Sequence, residues 1–292
     1  MSRIKIFLIA ISIFYGSCSE KNSDEKTNNK YSEEKEMNTM INREVVEENQ
    51  NKFYLKFEND LNAIKAGEKF ELIFIPTLKE KENVSVKLET IHERKAHLII
   101  VGEDLEYFNH IHPEKESNGI YSVETSLLYG GEYKLFVEYK PAGYEKVTEV
   151  VGINVAGNNK PEKIYESQNT FFNGKEYSVK LLNPENLIAG QESSIIVEFR
   201  RDGQIINVDE LENYLGEKAH AVAISLDDKN FAHIHPMVMD DKLNLHLNLD
   251  KSGLYRLWIQ FKINGKVNTT DFVIKVNHSE KNETKNNQHK HQ

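Results

Sequence analysis

Short runs of alternating hydrophobic and polar residues dominate the chain from about residue 52 to residue 277. Successive side chains of a β-strand point to opposite faces, so a period of two indicates strands with one buried face. Turn-rich segments separate the runs, and no long stretch has the period of a helix. The runs read FELIFIPT, VSVKLET, HLIIV, YSVETSLL and YKLFVEY, then SSIIVEF, HAVAISL, LNLHLNL and LYRLWIQF. About seven strands per 100 residues predict an all-β fold of immunoglobulin-like antiparallel β-sandwiches.

The same pattern occurs twice, at an offset of 123 residues. HLIIVGEDLEYFNHIHP from His97 aligns with HAVAISLDDKNFAHIHP from His220, and Tyr54 aligns with Tyr177. Solenoid repeats are roughly 20–50 residues long, so copies of this length are complete domains, which we expect to fold separately. The predicted boundaries are repeat one at 52–156, a linker at 157–172 and repeat two at 173–277.

The first residues are organised like an export signal. A basic start precedes an apolar run of about ten residues, Ile6 to Tyr15, which ends in Gly16, Ser17 and Cys18. The run is too short to cross a bilayer as a helix, which needs roughly 20 residues. The arrangement resembles the bacterial lipobox, in which the cysteine receives a lipid and becomes the new N-terminus, although Tyr15 replaces the usual leucine. An ordinary secretory signal with an incidental cysteine, or a short anchor, is the alternative.

The segments outside the repeats are strongly polar. Residues 18–51 and 278–292 contain too few apolar side chains to offset the entropy of ordering, which predicts a disordered tether and a disordered tail. With residues 1–17 as a lipoprotein signal peptide, the sequence predicts an exported bacterial lipoprotein at the outer membrane, in the periplasm or on the cell surface.

The amino-acid composition limits the classes of partner that the protein is expected to bind. The 292 residues include 37 Lys and Arg but 46 Asp and Glu, which gives a formal net charge of −9. Phosphate binding needs a basic face, so we expect no nucleic-acid partner. The single cysteine excludes a disulfide scaffold, a cysteine-rich zinc ribbon and a dithiol redox pair. The expected partners are the membrane, through the lipid anchor, a metal ion and an envelope protein.

Six of the eleven histidines form two triplets with identical spacing. They are His97, His110 and His112 in repeat one, and His220, His233 and His235 in repeat two. If the first triplet lies on a hairpin centred between Asp104 and Leu105, His97 is opposite His112. Opposed side chains point the same way, with Cβ atoms about 5 Å apart, so the three rings share one face. This predicts one transition-metal ion per triplet; a buried, hydrogen-bonded histidine cluster with a structural role is the alternative.

The donor atoms bear on the choice of metal. Neutral imidazoles suit Cu(II), Zn(II) or Ni(II), and intrinsic affinity favours copper, with zinc less favoured. Met237 and Met239 follow the second triplet, where their thioethers would prefer Cu(I), while Glu114 matches Met237 in repeat one. Packing at a core or edge is the other interpretation of these methionines. Three further histidines are surface residues or additional ligands: His246 in a strand, and His289 and His291 in the tail.

The segments HLIIVGEDLEYFNHIHP and YLGEKAHAVAISLDDKNFAHIHP resemble the YtkA-like secreted or lipid-anchored bacterial domains. The signature of those domains resembles a strand histidine, an acidic-Leu turn and then Phe-x-His-x-His-Pro. The resemblance implies an extracytoplasmic β-sandwich linked with copper or other metal handling. Copper-resistance sandwiches of the CopC type are a looser likeness. Those use a free N-terminal amine as a ligand, which a lipidated Cys18 does not provide.

Three functions fit these features. The first is an envelope lipoprotein that binds a transition metal, with copper favoured, for metal handling or sensing. The second is a cell-surface interaction module with structural histidines. The third is a hydrolase or hydratase with a three-histidine zinc centre. The third lacks a convincing general base, because Glu93, Asp104 and Glu217 are near the triplets only in sequence, and no hydrolase or P-loop motif occurs. We therefore expect no enzyme activity and no catalytic residues.

Overall fold

The computed structural model describes residues 52–116, 119–234 and 236–279, apart from the side chains of residues 82 and 83. The predicted signal peptide, Cys18, the tether, His235, His289 and His291 lie outside the described residues. Within the described part, no helix has the length and apolar character needed to span a membrane. Short 3₁₀ helices occur at Leu61–Ala63, Pro184–Asn186 and Val208–Glu210.

Repeat one forms two antiparallel sheets. Its strands are β1 (Phe53–Phe57), β2 (Lys69–Leu78), β3 (Lys81–Ser85), β4 (Leu88–Glu89), β5 (Ala96–Gly102), β6 (Phe108–Ile111), β7 (Glu114–Lys115), β8 (Tyr121–Ser126), β9 (Gly131–Pro141) and β10 (Val147–Val155). One sheet has the order β1-β2-β8-β7, with β3 paired to β2. The other has the order β10-β9-β5-β6, with β4 paired to β9.

Repeat two has the same arrangement. Its strands are β11 (Phe171–Asn173), β12 (Ser178–Leu182), β13 (Glu192–Arg201), β14 (Gln204–Ile205), β15 (Ala219–Ser225), β16 (Phe231–Ile234), β17 (Met237–Met239), β18 (Lys242–Asn248), β19 (Gly253–Ile263) and β20 (Lys266–Val276). The sheets have the orders β11-β12-β13-β18-β17 and β16-β15-β19-β20. The predicted fold class is confirmed: the chain contains two tandem, immunoglobulin-like antiparallel β-sandwiches.

Each sandwich has its own hydrophobic core, formed by alternate residues of the facing sheets. In repeat one, Leu98 and Ile100 of β5 pack into a cluster that contains only residues of that repeat. In repeat two, Ala221 and Ala223 of β15 pack into an equivalent cluster. The other face of each of these strands is also buried, since every residue of β5 and β15 is buried.

The face of β5 that points away from its own core is covered by repeat two, and the corresponding face of β15 is covered by repeat one. A third buried cluster combines Ile99, Val101, Leu105 and Phe136 of repeat one with Val222, Ile224 and Trp258 of repeat two. Phe108 stacks on Trp258 with ring centroids 4.5 Å apart, and Phe136 stacks on Phe231 at 4.7 Å. Phe108 and Phe231 occupy equivalent positions of the repeats, as do Phe136 and Trp258. The two sheets therefore meet face to face about an approximate twofold axis, and this interface contains the candidate site.

Candidate metal centre

The two histidine hairpins form with the predicted register. In repeat one, β5 pairs with β6 so that Ile99 lies opposite His110 and Leu98 opposite Ile111. In repeat two, the pairing of β15 with β16 places Val222 opposite His233. His97 and His220 are at the starts of β5 and β15, and their side chains share the face of the sheet that covers the other repeat.

The three histidines of the first triplet converge. The ring centroids of His97 and His112 are 4.9 Å apart, those of His110 and His112 are 4.8 Å apart, and those of His97 and His110 are 5.4 Å apart. One nitrogen from each ring can be chosen so that all three lie within 4.8 Å of one another. Strand alternation thus brings together the side chains that the sequence predicted to share a face.

The described members of the two triplets belong to one cluster. The ring of His233 lies 5.5 Å from that of His97 and 5.6 Å from that of His110, and His220 lies 6.4 Å from His110. His220 and His233 are 6.0 Å apart. These separations between repeats are about as short as those within a repeat, so the face-to-face packing of the sheets brings the described members into one buried group.

His92 is a further member that sequence reasoning missed. Its ring centroid lies 5.8 Å from His220, 6.1 Å from His97 and 6.3 Å from His233. It is in the turn before β5, with a backbone φ of 46°, a left-handed conformation that side chains other than glycine adopt infrequently. The equivalent residue of repeat two is Leu215, with a φ of 53°. The repeat alignment hid His92, because it selects residues that occur in both copies.

Two of the rings are oriented by backbone carbonyls. Nε2 of His97 contacts the carbonyl oxygen of Ile91 at 3.0 Å, and Nε2 of His220 contacts that of Tyr214 at 2.9 Å. A carbonyl oxygen only accepts a hydrogen bond, so Nε2 carries the proton in both rings. Nδ1 of each ring is therefore the nitrogen with a lone pair.

The other two rings are oriented by side chains from the opposite repeat. Nδ1 of His110 donates to Oε1 of Gln260 at 2.8 Å, and the Gln260 amide is held by donation to Thr269 Oγ1 at 3.2 Å. Nδ1 of His233 donates to Oε2 of Glu138 at 2.6 Å. Glu138 and Gln260 are equivalent residues, opposite His97 and His220 in their own sheets. These exchanged contacts leave Nε2 of both His110 and His233 with a lone pair.

Glu138 is a buried carboxylate at the edge of the cluster. Its side chain is 1% exposed, and Lys146 Nζ lies 2.7 Å from its other oxygen. Burial opposes its ionisation, but the contacts with His233 and with Lys146 hold the pKa of the Glu138 carboxyl well below its usual range. A histidine that donates its outer N–H to a carboxylate is the usual arrangement of a metal-ligating imidazole. Sequence reasoning missed Glu138, which is distant from both triplets in the chain.

The oriented rings leave two lone pairs in contact. Nδ1 of His97 and Nε2 of His110 are 3.2 Å apart, and neither nitrogen carries a proton in the tautomers described above. Burial lowers the pKa of His97 to about 4 and the pKa of His110 well below its ordinary value, so both rings are neutral near pH 7. Facing lone pairs repel each other unless a cation lies between them. The separation is close to the edge of a tetrahedron with metal–nitrogen bonds of 2.0–2.1 Å, about 3.3–3.4 Å.

His112 completes this side of the cluster. Burial lowers its pKa to about 3, and the nearby charges of His97 and Arg94 act in the same direction. Among the described residues, its Nε2 is buried with no hydrogen-bond partner, and a buried polar nitrogen in that state costs free energy. The residues present therefore fit a transition-metal ion in number, donor type and tautomer.

Each sandwich also matches a known family model, over residues 49–157 and again over residues 171–278, which is described as a domain of unknown function, DUF8832. The chain belongs to the DUF8832 family. The histidine cluster is thus built between two DUF8832 repeats of one polypeptide. A search of curated proteins finds no match.

Solved structures that resemble the DUF8832 chain do so at low identity. A tetra-tandem repeat from the extending region of a large adhesion protein is 10% identical with a TM-score of 0.25, over 77% of this chain and 49% of that one. InvD of Yersinia pseudotuberculosis is 13% identical with a TM-score of 0.25, over 79% of this chain and 58% of that one. The chain thus spans about half the length of these proteins. Such likenesses are too distant to carry an inference about function.

The remaining candidates lie apart from the buried cluster. Met237 and Met239 are on the edge strand β17 of the other sheet of repeat two, with exposures of 50% and 49%. His246 is exposed on β18. Of the three carboxylates considered as bases, Asp104 accepts hydrogen bonds from the backbone N–H groups of Glu106 and Lys163, in a turn. Glu138 is a carboxylate that contacts a clustered histidine, and it does so on the outer side of the ring, as an orienting group.

Proposed function

We propose that the DUF8832 chain binds a transition metal in the inter-repeat histidine cluster and acts in metal handling or sensing in the bacterial envelope, with copper favoured over zinc. The observation that carries the proposal is the 3.2 Å approach of Nδ1 of His97 and Nε2 of His110. In the neutral rings both nitrogens are acceptors, and a metal cation bound to both would relieve the repulsion between their lone pairs.

The orientation of the other rings supports the same conclusion. A purely structural histidine cluster would pair donors with acceptors inside the group. Here the N–H groups of His97, His110, His220 and His233 all donate outward, to two carbonyls, one amide and one carboxylate. Hydrogen bonds from the outer N–H of a ligating imidazole hold the ring in position and raise its basicity.

Copper is favoured by the donor set. The described ligands are neutral imidazole nitrogens, for which Cu(II) has the highest intrinsic affinity among the divalent metals of the first transition row. Zinc binds the same donors and is the main competitor. Met237 and Met239, as thioethers, would contribute to Cu(I) capture only, and their exposure suits an outer contact rather than a buried ligand position.

The test is a titration of the full chain, without a purification tag, against Cu(II), Cu(I) and Zn(II). The double variant His97→Gln/His110→Gln should bind fewer Cu(II) ions per chain than the wild type. The matched control His246→Gln, on an exposed strand position, should bind like the wild type. Because bound metal stabilises the folded state by mass action, wild type should also melt at a higher temperature as metal is added. If wild type binds no metal, or if the double variant binds equally well, the cluster is structural and the proposal fails.

Lipid anchoring at Cys18 is part of the same proposal. It rests on the sequence Gly16-Ser17-Cys18 at the end of a short apolar run. Stable anchoring requires more than one acyl chain, so the processed protein should partition into detergent. Cys18→Ala should leave the protein unprocessed or release it from the membrane. A Cys18→Ala protein of mature size that stays in the membrane would contradict lipidation.

A further inference from the structure

The described cluster contains more nitrogen ligands than one ion takes. Six rings are linked by centroid separations of 4.8–6.4 Å. A copper or zinc ion bound to histidines takes roughly four protein ligands in structural sites and three in catalytic sites. The rings divide into two triangles, which we call the first half and the second half. The first half is His97, His110 and His112, and the second half is His92, His220 and His233.

The first triangle has dimensions that suit one ion, and the second triangle is wider. Among the described residues, the first triangle is the group whose nitrogens all lie within 4.8 Å of one another. The edges of the first half are 4.8, 4.9 and 5.4 Å between ring centroids. Those of the second half are 5.8, 6.0 and 6.3 Å. For metal–nitrogen bonds of 2.0–2.1 Å, tetrahedral ligation places imidazole centroids about 5 Å apart. The first half already has this spacing, and the second half reaches it with shifts of under about 1 Å.

The two halves differ in the charges that surround them, at positions that are equivalent in the repeats. Glu138, which orients His233, is matched by the neutral Gln260, which orients His110. Arg94 is matched by Glu217. Burial and the neighbouring His97 lower the pKa of His112 in the first half, and the charge of Arg94 lowers it further. In the second half, burial and the neighbouring His233 lower the pKa of His92. The charges of Glu138 and Glu217 have the smaller effect, and they raise it.

We infer that the cluster is a two-ion centre whose second half binds its ion more tightly than the first half. This rests on the proposed metal-binding function. An orienting carboxylate raises the basicity of the imidazole and supplies negative charge next to the ion, whereas an orienting amide supplies no charge. Lys146 offsets part of the charge of Glu138, and Glu114 offsets part of the charge of Arg94. With Glu217 added, the charge beside the second half is still the more negative, which favours a cation there.

The experiment exchanges the orienting residues in the full chain. The variants are Glu138→Gln, Gln260→Glu and the double exchange, and each is near-isosteric. Glu149→Gln is the matched control, because Glu149 is a partly buried carboxylate on the neighbouring strand β10 that contacts Tyr139 and the Leu55 N–H. Melting temperatures without metal identify any variant with a folding defect.

Cu(II) titration of wild type should resolve two binding steps. Glu138→Gln should weaken the tighter step by 10–100-fold, the range expected for loss of an orienting partner. Gln260→Glu should strengthen the weaker step, and Glu149→Gln should leave both steps unchanged. His220→Gln/His233→Gln should remove the tighter step, whereas His97→Gln/His110→Gln should remove the weaker one. At two equivalents, electron paramagnetic resonance should show the half-field signal of two coupled Cu(II) ions.

Three results would overturn the inference while leaving metal binding intact. The first is a stoichiometry of one ion for wild type. The second is two ions with the uncoupled spectrum of isolated centres. The third is a pair of steps whose affinities do not respond to the exchange of Glu138 and Gln260. Absence of any binding by wild type would instead reject the proposed function itself.

Discussion

The hydrogen bonds on the outer side of each imidazole decide which nitrogen faces the centre. Carbonyl oxygens hold Nε2 of His97 and His220, and side chains of the opposite repeat hold Nδ1 of His110 and His233. The histidines are predictable from the spacing of the triplets, but Glu138 and Gln260 are not. They reach the site from β9 and β19 of the other repeat, a relation that a sequence pattern does not contain.

The buried rings make the metal-free protein sensitive to acid. Burial lowers the pKa of His97 and His220 to about 4 and that of His112 to about 3, whereas an unfolded histidine titrates near about 6.5. Between these values the unfolded chain binds more protons than the folded chain, so the free energy of unfolding falls as the pH falls from about 6.5 towards 4. Urea unfolding without metal at several pH values measures this slope.

His97→Gln/His220→Gln should flatten that dependence, since it removes two of the depressed groups. His246→Gln, with an exposed ring, should keep the wild-type slope. An equal slope in the wild type and the double variant would show that these histidines do not control acid stability.

His92 provides a test at a position that differs between the repeats. His92→Leu copies Leu215, which already occupies the equivalent left-handed position of repeat two. The variant should therefore fold with a melting temperature close to that of the metal-free wild type. It should lose about tenfold or more in affinity for one ion, because one ligand of the second half is gone. The control is the converse change, Leu215→His, which places a histidine at the equivalent turn of repeat two. Unchanged binding by His92→Leu would exclude His92 as a ligand.

At the level of elements, two strands of each repeat carry the interface. Leu98 to Val101 of β5 form a continuous apolar run, whereas strands such as β2 and β10 alternate buried and more exposed residues. A continuous run indicates a strand that is covered on both faces. Periodicity thus predicts the strand and its inner face, but it does not say which element covers the outer face.

The aromatic contacts between the sheets should contribute strongly to stability. Trp258 is 2% exposed and stacks on Phe108. Trp258→Ala should lower the free energy of unfolding by about 3–5 kcal/mol, the range for loss of a buried large aromatic side chain. Phe171→Ala is the control, because Phe171 is 48% exposed, and it should change stability by roughly 0.5 kcal/mol or less. Urea unfolding followed by circular dichroism measures both, and equal effects would mean that the interface contributes little.

For the whole molecule, the packing of one repeat on the other creates the candidate site. Each sandwich has its own core, so fragments 52–156 and 173–277 should each fold as β proteins. Each isolated fragment would, however, expose the residues of the shared cluster, such as Ile99 or Val222, and would carry only part of the histidine cluster. Each should therefore bind Cu(II) more weakly than the full chain.

Mixing the two fragments should restore tight binding. Trp258 is the only tryptophan of the chain, so its fluorescence reports directly on this interface. The emission of fragment 173–277 should shift to shorter wavelength when fragment 52–156 is added, and Cu(II) should strengthen the association. Equal metal affinity of the isolated fragments and the full chain would contradict a shared centre.

The sequence by itself determined the β-sandwich fold, the duplication and the register of each histidine hairpin. These follow from local periodicity and from a repeat spacing that can be read along the chain. The tertiary structure decided that the described members of the two triplets form one cluster, that His92 joins it, and that Glu138 and Gln260 orient rings of the opposite repeat. The physical reason is that burial of Ile99, Phe136, Val222 and Trp258 between the sheets sets the distance between the hairpins, and this hydrophobic contact joins residues more than 80 positions apart.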